Sequence, residues 1–519
     1  MYKKRLLYLI ITCTIIRIII ANCIEFGNDE VYYYTYALHL QQNYFDHPPG
    51  VAILIKLFTC NLFFQQQVFI RLGAIVSAAI ATWLTYKIGT LVRNQRTGWF
   101  AAILYNTSIY TSIIAGTFIL PDSPQVVFWL ASIWAMLKIV IAFRENGKPA
   151  YAQWVTAGVL IGLCIMCKVH GAFLWIGFGL YSLLYQRKIF LQPGFYIAII
   201  ITAIIISPIF FWNLQNNFIT WRYHSERVEV HRLILNGGGF LQALIGQVFY
   251  NNPLNVFILT ASLLYLRKHK ILSDDVTRLL VLCGLPLILF VTGVSLFRDV
   301  LPHWSGPGFL ALSFIAAAFL EEKIETRTKS FFRAMLKSSI IFIAVLAVGG
   351  MLLIDFYPGT MGNTTTTKYG DGDFTLDMYG WRQFGEQFNA WRQKAETGKE
   401  IAPGLPVVCY EWFPAAHIDY YIARPGGYHV IGVGKIDDLH HYAWLNYYRG
   451  ALNVGDDALC IIPSNYYHDV SAVYGPYFQS VTPLHTFAGT RGGKTTRYFN
   501  IFLLKGYKGN DELRGYKVM

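Results

Sequence analysis

The chain has 519 residues, of which 54% are hydrophobic and only 14% are charged. A soluble protein of this length would need several domains and a much larger charged surface, so the composition excludes that class. The formal net charge is +13, and in so apolar a chain this excess is better explained by membrane topology than by nucleic-acid binding.

Long apolar runs with almost no charge predict helices that cross a bilayer. We count eleven: 6–24, 68–92, 97–116, 120–143, 151–167, 171–185, 193–212, 240–266, 276–297, 303–320 and 331–354. The two runs beside Lys168 are shorter than the roughly 20 residues of a typical span, so they form either a tight hairpin or no true spans. The first run has basic residues before it but no small-residue cleavage site, which predicts a retained anchor.

Basic residues gather in every second loop: Lys3/Lys4/Arg5, Arg93/Arg96, Arg144/Lys148, Arg187/Lys188, Arg267/Lys268/Lys270 and Lys323/Arg327/Lys329. By the positive-inside rule these loops are cytoplasmic. The segments that face outward are then 25–67, the turn at Pro121, 168–170, 213–239, 298–302 and everything after Asp355. We therefore predict a multi-pass protein of the cytoplasmic (inner) membrane with a cytoplasmic N-terminus and a periplasmic C-terminal domain.

The first outward segment, "GNDEVYYYTYALHLQQNYFDHPPG", begins with two adjacent carboxylates, Asp29 and Glu30. Carboxylates beside hydrocarbon pay a desolvation cost, which calls for a reason. One reason is general-base catalysis, since a carboxylate there can take a proton from an acceptor hydroxyl or amine. The alternative is a helix start with Asn28 or Asp29 as N-cap, and the residues alone leave both open.

The same segment ends in "YFDHPPG", where two prolines hold Asp46 and His47 before the apolar run "VAILIKLF". A fixed Asp-His pair suits a phosphate or a sugar hydroxyl; the alternative is an Asx turn before a helix that begins with proline. The apolar run is too short to span and is predicted to lie along the interface.

Other outward turns carry cations, against the positive-inside trend. Lys168 and His170 lie in "MCKVHG"; Arg298, Asp299, His303 and Trp304 lie in "SLFRDVLPHW"; and Arg222, His224, Arg227 and Arg232 lie in the loop 213–239. Together they suit a phosphate at the outer interface. Asp122, between two prolines in "LPDSPQ", is interpreted as an N-cap without a further function.

Residues 355–519 are more polar and predict a small α/β domain. "MYGWRQFGEQFNAWRQKA" has helical spacing, and "LPVVCYEWF", "YHVIGVG", "DALCIIPS" and "RYFNIFLLKGY" are typical of strands. Cys409 and Cys460 would pair only in an oxidising compartment. Asp371-Gly372-Asp373 imitates a metal-binding DxD motif but lies in a glycine-rich outward turn, so we predict no metal site.

The order of these motifs, from "NDEVYYYTYALHL" and "YFDHPP" through "LPDSP", "GLCIMCKVHGAFLW" and "HWSGPGFLAL" to "LDMYGWRQFGEQ", resembles bacterial GT-C glycosyltransferases. These are relatives of the protein O-mannosyltransferases and of the lipid A aminoarabinose and galacturonic acid transferases, and the similarity covers most of residues 1–390. The resemblance implies a sugar donor carried on polyprenyl phosphate and a glycolipid or protein acceptor. It also implies that Asp29 is the base, that Glu30 is a neighbour that orients or replaces it, and that Lys168 binds the phosphate. The aminoarabinose branch has an acid-lysine pair where this chain has Asp46-His47, so a cationic contact there would require a protonated His47.

The resemblance further implies an inverting displacement at the anomeric carbon that requires no metal or cofactor. Lys168 or Arg298 would stabilise the leaving phosphate, and the tyrosines of the first external loop would stack on the sugar. The expected fold is an α-helical polytopic membrane protein of about 11 spans, with residues 1–354 as membrane domain, including the external loop 25–67, and residues 355–519 as the α/β domain. The alternative is a transporter or flippase that binds a lipid-linked sugar without chemistry. Transporters place polar residues at mid-membrane. In this sequence the polar residues cluster at the ends of the predicted spans, and Arg17 is the unexplained exception at mid-span.

Overall fold

The computed structural model describes residues 1–229, 235–324, 329–365 and 367–509. Two of the cations named above, Arg232 and Arg327, lie outside these residues. The chain divides into two compact units: the first comprises Met1–Ala21 and His47–Ala347, and the second comprises Asn22–Asp46 and the chain from Val348 onward.

The helices of the described residues are α1 (Tyr2–Cys23), α2 (Asn28–Leu38), α3 (Gly50–Phe58), α4 (Gln67–Val92), α5 (Gln95–Thr107), α6 (Asp122–Asn146), α7 (Tyr151–Cys167), α8 (Ala172–Tyr185), α9 (Pro193–Gln215), α10 (Ile219–Val228), α11 (Gly237–Tyr250), α12 (Pro253–Tyr265), α13 (Asp274–Ser295), α14 (Gly306–Lys323), α15 (Lys329–Phe356), α16 (Trp381–Thr397), α17 (Trp412–Ile418), α18 (Arg424–Gly426), α19 (Ile436–Leu439), α20 (Tyr442–Arg449) and α21 (Val470–Tyr474). The strands are β1 (Val407–Cys409), β2 (Val430–Gly432), β3 (Ala458–Pro463), β4 (Phe478–Arg491) and β5 (Lys494–Tyr507).

In the described residues, seven helices are long and apolar enough to cross a membrane: α1, α4, α6, α9, α13, α14 with the turn before it, and α15. The other four of the eleven predicted runs are helical but short or interrupted. Helix α5 ends at Thr107 and is followed by a π-helical turn, Tyr110–Ile114. Helices α7 and α8, on either side of Lys168, have 17 and 14 residues. The short run after the prolines is helix α3, as predicted.

The prediction of one helix over residues 240–266 is wrong, because the chain breaks between α11 and α12. Asn252 has a positive φ of 64°, which an α-helix does not allow. Pro253 then begins α12, and the Asn252 side chain accepts a hydrogen bond from the Leu254 N–H at 3.1 Å. The break therefore combines a turn residue with the proline start and asparagine cap of a new helix.

Small residues bring the helices of the first unit into close contact. A Cβ on Gly284 of α13 would lie 2.6 Å from the Gly308 carbonyl of α14, and one on Gly158 of α7 would lie 2.5 Å from the Ala198 carbonyl of α9. Backbones approach this closely only where side chains are absent, as is common between membrane helices. These crossings therefore hold α13 against α14 and α7 against α9.

The second unit contains a five-stranded mixed sheet with strand order β2-β1-β3-β5-β4. Strand β1 pairs in parallel with β2 and β3, whereas β3–β5 and β5–β4 are antiparallel. Helix α16 packs on β5 through Phe384, whose ring stacks on Phe499 at 3.8 Å. The helix and four strands predicted here are confirmed, and β4 was missed. Cys409 and Cys460, on neighbouring strands, are buried free thiols.

The domain division differs from the predicted one in residues 25–67, the predicted first external loop. Residues 22–46 belong to the second unit because they bond and pack inside it, whereas residues 47–67 belong to the first. Glu25 accepts the backbone N–H of Trp381 at 2.8 Å and of Arg382 at 3.1 Å, so it caps α16. The Phe26 N–H donates to the Tyr421 hydroxyl at 2.7 Å. The loop is thus an integral part of the second unit.

Candidate active site

The first unit contains one buried ion pair built from predicted outward turns. Lys168 Nζ lies 2.7 Å from Asp122 Oδ2, with 4% and 3% of the two side chains exposed. Lys168 stands where α7 ends and the short 3-10 turn Val169–Gly171 begins. The prediction that Asp122 is an N-cap is wrong: Pro121 occupies that position, and the carboxylate of Asp122 binds Lys168 instead. The Tyr110 hydroxyl donates to the second carboxylate oxygen at 3.0 Å.

Such a pair is weak evidence for stability, because removing two charges from water costs about as much as their attraction returns. A ligand-binding role for the Lys168 ammonium group explains the buried pair better. Lys168 has three N–H donors, and the carboxylate of Asp122 engages one of them. The remaining donors suit an anion such as a phosphate.

Residues of the other predicted outward turns form a set of neighbouring rings and cations in the first unit. The centroids of the Trp304 and His170 rings are 5.9 Å apart, and the Arg227 guanidinium carbon lies 5.4 Å from the Trp304 centroid. The rings of His47 and His224 are also 5.9 Å apart. Residues from four separate segments therefore contribute to one neighbourhood.

His47 belongs to the same electrostatic neighbourhood as the ion pair. Burial lowers the pKa of His47 well below its usual range, and the positive charges of Lys168 and Arg227 lower it further. The imidazole is therefore neutral near pH 7. It offers a hydrogen-bonding ring rather than the cation that the acid-lysine pair of the resembling family would provide.

Arg298 binds the backbone of the neighbouring helix α10. Its Nη2 donates to the Glu226 carbonyl at 2.6 Å and its Nε to the Arg227 carbonyl at 3.5 Å. A cation at this end of a helix satisfies free carbonyls and complements the helix dipole. Arg298 thus holds the segment that carries Arg227, and Arg227 is the cation beside Trp304. His303, next in the same turn, has its ring 6.0 Å from that of Tyr250.

The second unit contains the predicted acidic pair in the first turn of α2. Asp29 is exposed, whereas Glu30 is 1% exposed and accepts the Gly27 N–H at 3.1 Å. The N-cap is Gly27 rather than Asn28 or Asp29; the Asn28 side-chain oxygen instead lies 3.0 Å from His417 Nε2. Glu30 thus helps to begin the helix, and Asp29 is the acid that solvent reaches.

Asp46 and the tyrosines of the first loop form a buried cluster in the second unit. The hydroxyls of Tyr32 and Tyr36 both donate to Asp46 Oδ1, and Asp46 is 8% exposed. Tyr33 and Tyr34 are buried as well, at 5% and 3% exposure. The expectation that these tyrosines stack on sugar is therefore wrong, because their rings pack inside the protein.

Asp373, the second acid of the DxD-like turn, has structural partners. Its Oδ1 accepts the Thr375 N–H at 3.0 Å and its Oδ2 accepts the Met361 N–H at 2.9 Å. Arg491 Nη2 lies 3.4 Å from the same Oδ2. The carboxylate closes a turn and pairs with a buried arginine.

Asp122 and Tyr110 are site residues that the sequence analysis did not select. The signal for Asp122 was present, since it begins one span and Lys168 ends another on the same predicted side of the membrane. Their separation of 46 positions hid the pairing. The hydroxyl of Tyr110 gave no comparable signal.

Comparison with known proteins adds three findings. Residues 46–212 match the dolichyl-phosphate-mannose-protein mannosyltransferase family. The lipid A galacturonosyltransferase RgtD of Rhizobium johnstonii is 21% identical over 317 residues, which are 60% of this chain and only 65%, less than two thirds, of that protein.

The third finding is structural. The crystal structure of ArnT from Cupriavidus metallidurans in the apo state superposes with a TM-score of 0.61 at 13% identity, covering 96% of this chain and 98% of that one. The structure of the same protein bound to undecaprenyl phosphate gives a TM-score of 0.61, again at 13% identity, over 95% and 97% of the two chains. The chain is thus a multi-pass membrane protein with the fold of ArnT, as the order of its motifs predicts.

Proposed function

We propose that the protein is a glycosyltransferase that moves a sugar from a polyprenyl-phosphate carrier to a glycolipid or protein acceptor at the outer face of the cytoplasmic membrane. The observation that carries the proposal is the buried Asp122–Lys168 pair, set among the imidazoles and cations of the outward turns. An ammonium group held in this way suits the phosphate of a lipid carrier. The likeness to RgtD and to ArnT bound to undecaprenyl phosphate supports the same ligand chemistry and a lipid acceptor.

The proposed reaction is a single displacement with inversion at the anomeric carbon. The acceptor oxygen forms a bond to that carbon while the bond from the carbon to the phosphate oxygen breaks, and the electron pair leaves with the polyprenyl phosphate. Asp29 takes the acceptor proton as general base, and Glu30 holds the start of the helix that carries it. Lys168 stabilises the charge that develops on the phosphate. The scheme uses no metal or organic cofactor.

The remaining predicted residues would bind substrate. His47, His303 and Trp304 would contact the donor, with Arg298 acting through the segment it holds, and Asp46 through the tyrosine cluster. The proposal also includes a cytoplasmic N-terminus and a periplasmic second unit.

Transfer of label from radiolabelled polyprenyl-phosphate sugars to membrane acceptors tests the proposal. We expect Asp29→Asn to lower the rate constant at least about a hundredfold, the usual contribution of a general base, with little change in KM for the donor. Lys168→Met should raise that KM and lower the rate. Asp371→Asn, which changes an exposed carboxylate of the same unit, is the matched control for Asp29 and should transfer normally.

If wild type and Asp29→Asn transfer sugar equally well, Asp29 is not the general base. If Lys168→Met also transfers as well as wild type, Lys168 is not the ligand of the carrier phosphate. A transporter would move labelled carrier across the bilayer without forming any labelled acceptor. Formation of labelled acceptor by purified protein in vesicles therefore separates the two functions.

A further inference from the structure

Arg17 is a charged residue in the middle of an otherwise apolar membrane helix. Helix α1 buries few of its residues, namely Leu6, Arg17, Ile20 and Ala21, and Arg17 is only 2% exposed. A charge inside a membrane span is costly unless it is paired or solvated by polar groups. Its contacts therefore indicate why it is there.

The guanidinium group of Arg17 binds neutral partners in the described part of the chain. Nη2 donates to Asn106 Oδ1 at 2.9 Å and to Ser112 Oγ at 3.4 Å, and Nε donates to the Ser112 carbonyl at 3.3 Å. Asn106 is itself fixed, since its amide donates to the Ala102 carbonyl at 2.8 Å and to Thr82 Oγ1 at 3.1 Å. One planar group thus ties α1 to a rigid point on α5 and to the segment after it.

That segment is the π-helical turn Tyr110–Ile114, which is closed by the Ala115 N–H on the Tyr110 carbonyl at 2.8 Å. The Ser112 carbonyl in this turn also accepts the Thr117 hydroxyl at 2.8 Å. Such turns are rare and are frequent at functional sites. Arg17 supplies two of the three hydrogen bonds that Ser112 receives from these side chains, so it stabilises the turn.

The same π-helical turn aims Tyr110 at the ion pair. The Tyr110 hydroxyl donates to Asp122 Oδ1 at 3.0 Å, and Asp122 Oδ2 lies 2.7 Å from Lys168 Nζ. The Tyr110 ring is fully buried and packs tightly against Gly306, where an added Cβ would lie only 2.4 Å from it. A displaced turn therefore removes the hydroxyl from Asp122 rather than letting it follow.

We propose that Arg17 is a positioning residue for the Asp122–Lys168 pair, acting through the π-helical turn and the Tyr110 hydroxyl. The inference rests on the proposed function, in which Lys168 binds the carrier phosphate. Without Arg17 the turn relaxes, Asp122 loses a donor, and its carboxylate pulls more strongly on the ammonium group. The affinity of Lys168 for phosphate then falls.

A double-mutant cycle between Arg17→Met and Tyr110→Phe tests this, with polyprenyl phosphate as the probe ligand and purified full-length protein in detergent. We expect each single change to weaken binding about tenfold, and the double change to weaken it no more than the stronger single one. Arg17→Lys keeps the charge but not the planar set of donors. It should bind polyprenyl phosphate at least about threefold more tightly than Arg17→Met. Tyr110→Phe keeps the ring against Gly306, so it remains informative if Arg17→Met folds poorly.

The matched control is Arg71→Met. Arg71 is another fully buried arginine that binds α1, through the Ala21 carbonyl at 2.9 Å. Any effect of Arg71→Met should add to that of Tyr110→Phe, because general loosening of α1 is not coupled to the hydroxyl.

The outcomes separate the two proposals. A wild type that fails to bind polyprenyl phosphate overturns the proposed function and this inference with it. A wild type that binds, combined with multiplicative effects of Arg17→Met and Tyr110→Phe, overturns this inference alone. Non-additive losses for Arg17 together with additive ones for Arg71 support it.

Discussion

The pairing of Lys168 with Asp122 predicts that stability and activity separate on mutation. Lys168→Met leaves a buried carboxylate without its counter-charge, and Asp122→Asn leaves a buried ammonium, so each should cost about 3–5 kcal/mol of unfolding free energy. The double variant carries neither charge and should cost clearly less than the sum. Sugar transfer should remain lost in it, because the phosphate ligand is missing. Thermal unfolding and transfer assays on the four proteins measure both effects.

The exposed pair of Lys270 and Asp274, at 81% and 47% exposure, is the control for that cycle. The same substitutions there should leave the melting temperature unchanged, because solvent screens the attraction. Losses at Lys168 and Asp122 that simply add would contradict the pairing.

Some properties of the individual site residues could be predicted from the sequence and others could not. The alternation of basic loops predicts that Lys168, His303 and Trp304 share one side of the membrane, and the structure brings the turns of Lys168 and Trp304 close together. The neutral state of His47 did not follow, since it depends on burial and on charges from distant segments. The tyrosines were predicted to stack on sugar, yet their rings are buried because residues from Val348 onward pack against them.

At the scale of elements, helix α16 depends on an acid far away in the sequence. Glu25 accepts the N–H groups of Trp381 and Arg382 with its two oxygens. We expect Glu25→Gln to cost about 1–2 kcal/mol, because the amide has one acceptor oxygen, turns an N–H donor toward the other backbone donor and loses the favourable charge at a helix N-terminus. Hydrogen exchange at the amides of Trp381 and Arg382 should become faster.

Glu386→Gln changes an exposed carboxylate within the same helix and serves as the matched control. It should leave exchange at the first turn unaltered. Unchanged exchange in Glu25→Gln would mean that the cap does not hold the helix.

Elements with a strong local pattern were predictable and those set by context were not. Helix α16 and strands β1, β2, β3 and β5 have clear periodicity or apolar runs between turn residues. Strand β4 was missed because it is a largely exposed edge strand with Pro483 and Gly489 in its sequence, features that argue against a strand. The break at Asn252 was missed although "NNP" is a turn and helix-start signal, because the long apolar stretches on either side were interpreted as one span.

At the scale of the whole molecule, buried histidines in both units should make the protein acid-sensitive. Burial lowers the pKa of His47, His417 and His441 well below the usual range, with a further decrease from Lys168, Arg497 and Arg449 respectively. The folded protein therefore keeps these rings neutral, while the unfolded chain takes up protons below about pH 6.5. Their stabilising contribution is complete above that pH and is lost as the pH falls, by about 2 kcal/mol for each ring at pH 5.

His441 offers the sharpest test of this acid sensitivity. Neither ring nitrogen has a hydrogen-bond partner among the described residues, and the ring packs edge-on against Tyr36 and Tyr44, at 4.9 and 5.0 Å. His441→Phe keeps a ring there and removes the site of protonation, so the fall in melting temperature between pH 7.5 and pH 5 should become smaller than in wild type. His429→Gln, at an exposed position, should leave the fall unchanged, because that ring is solvated in both states. A wild-type melting temperature that stays constant or rises toward pH 5 would contradict the burial of these rings as neutral groups.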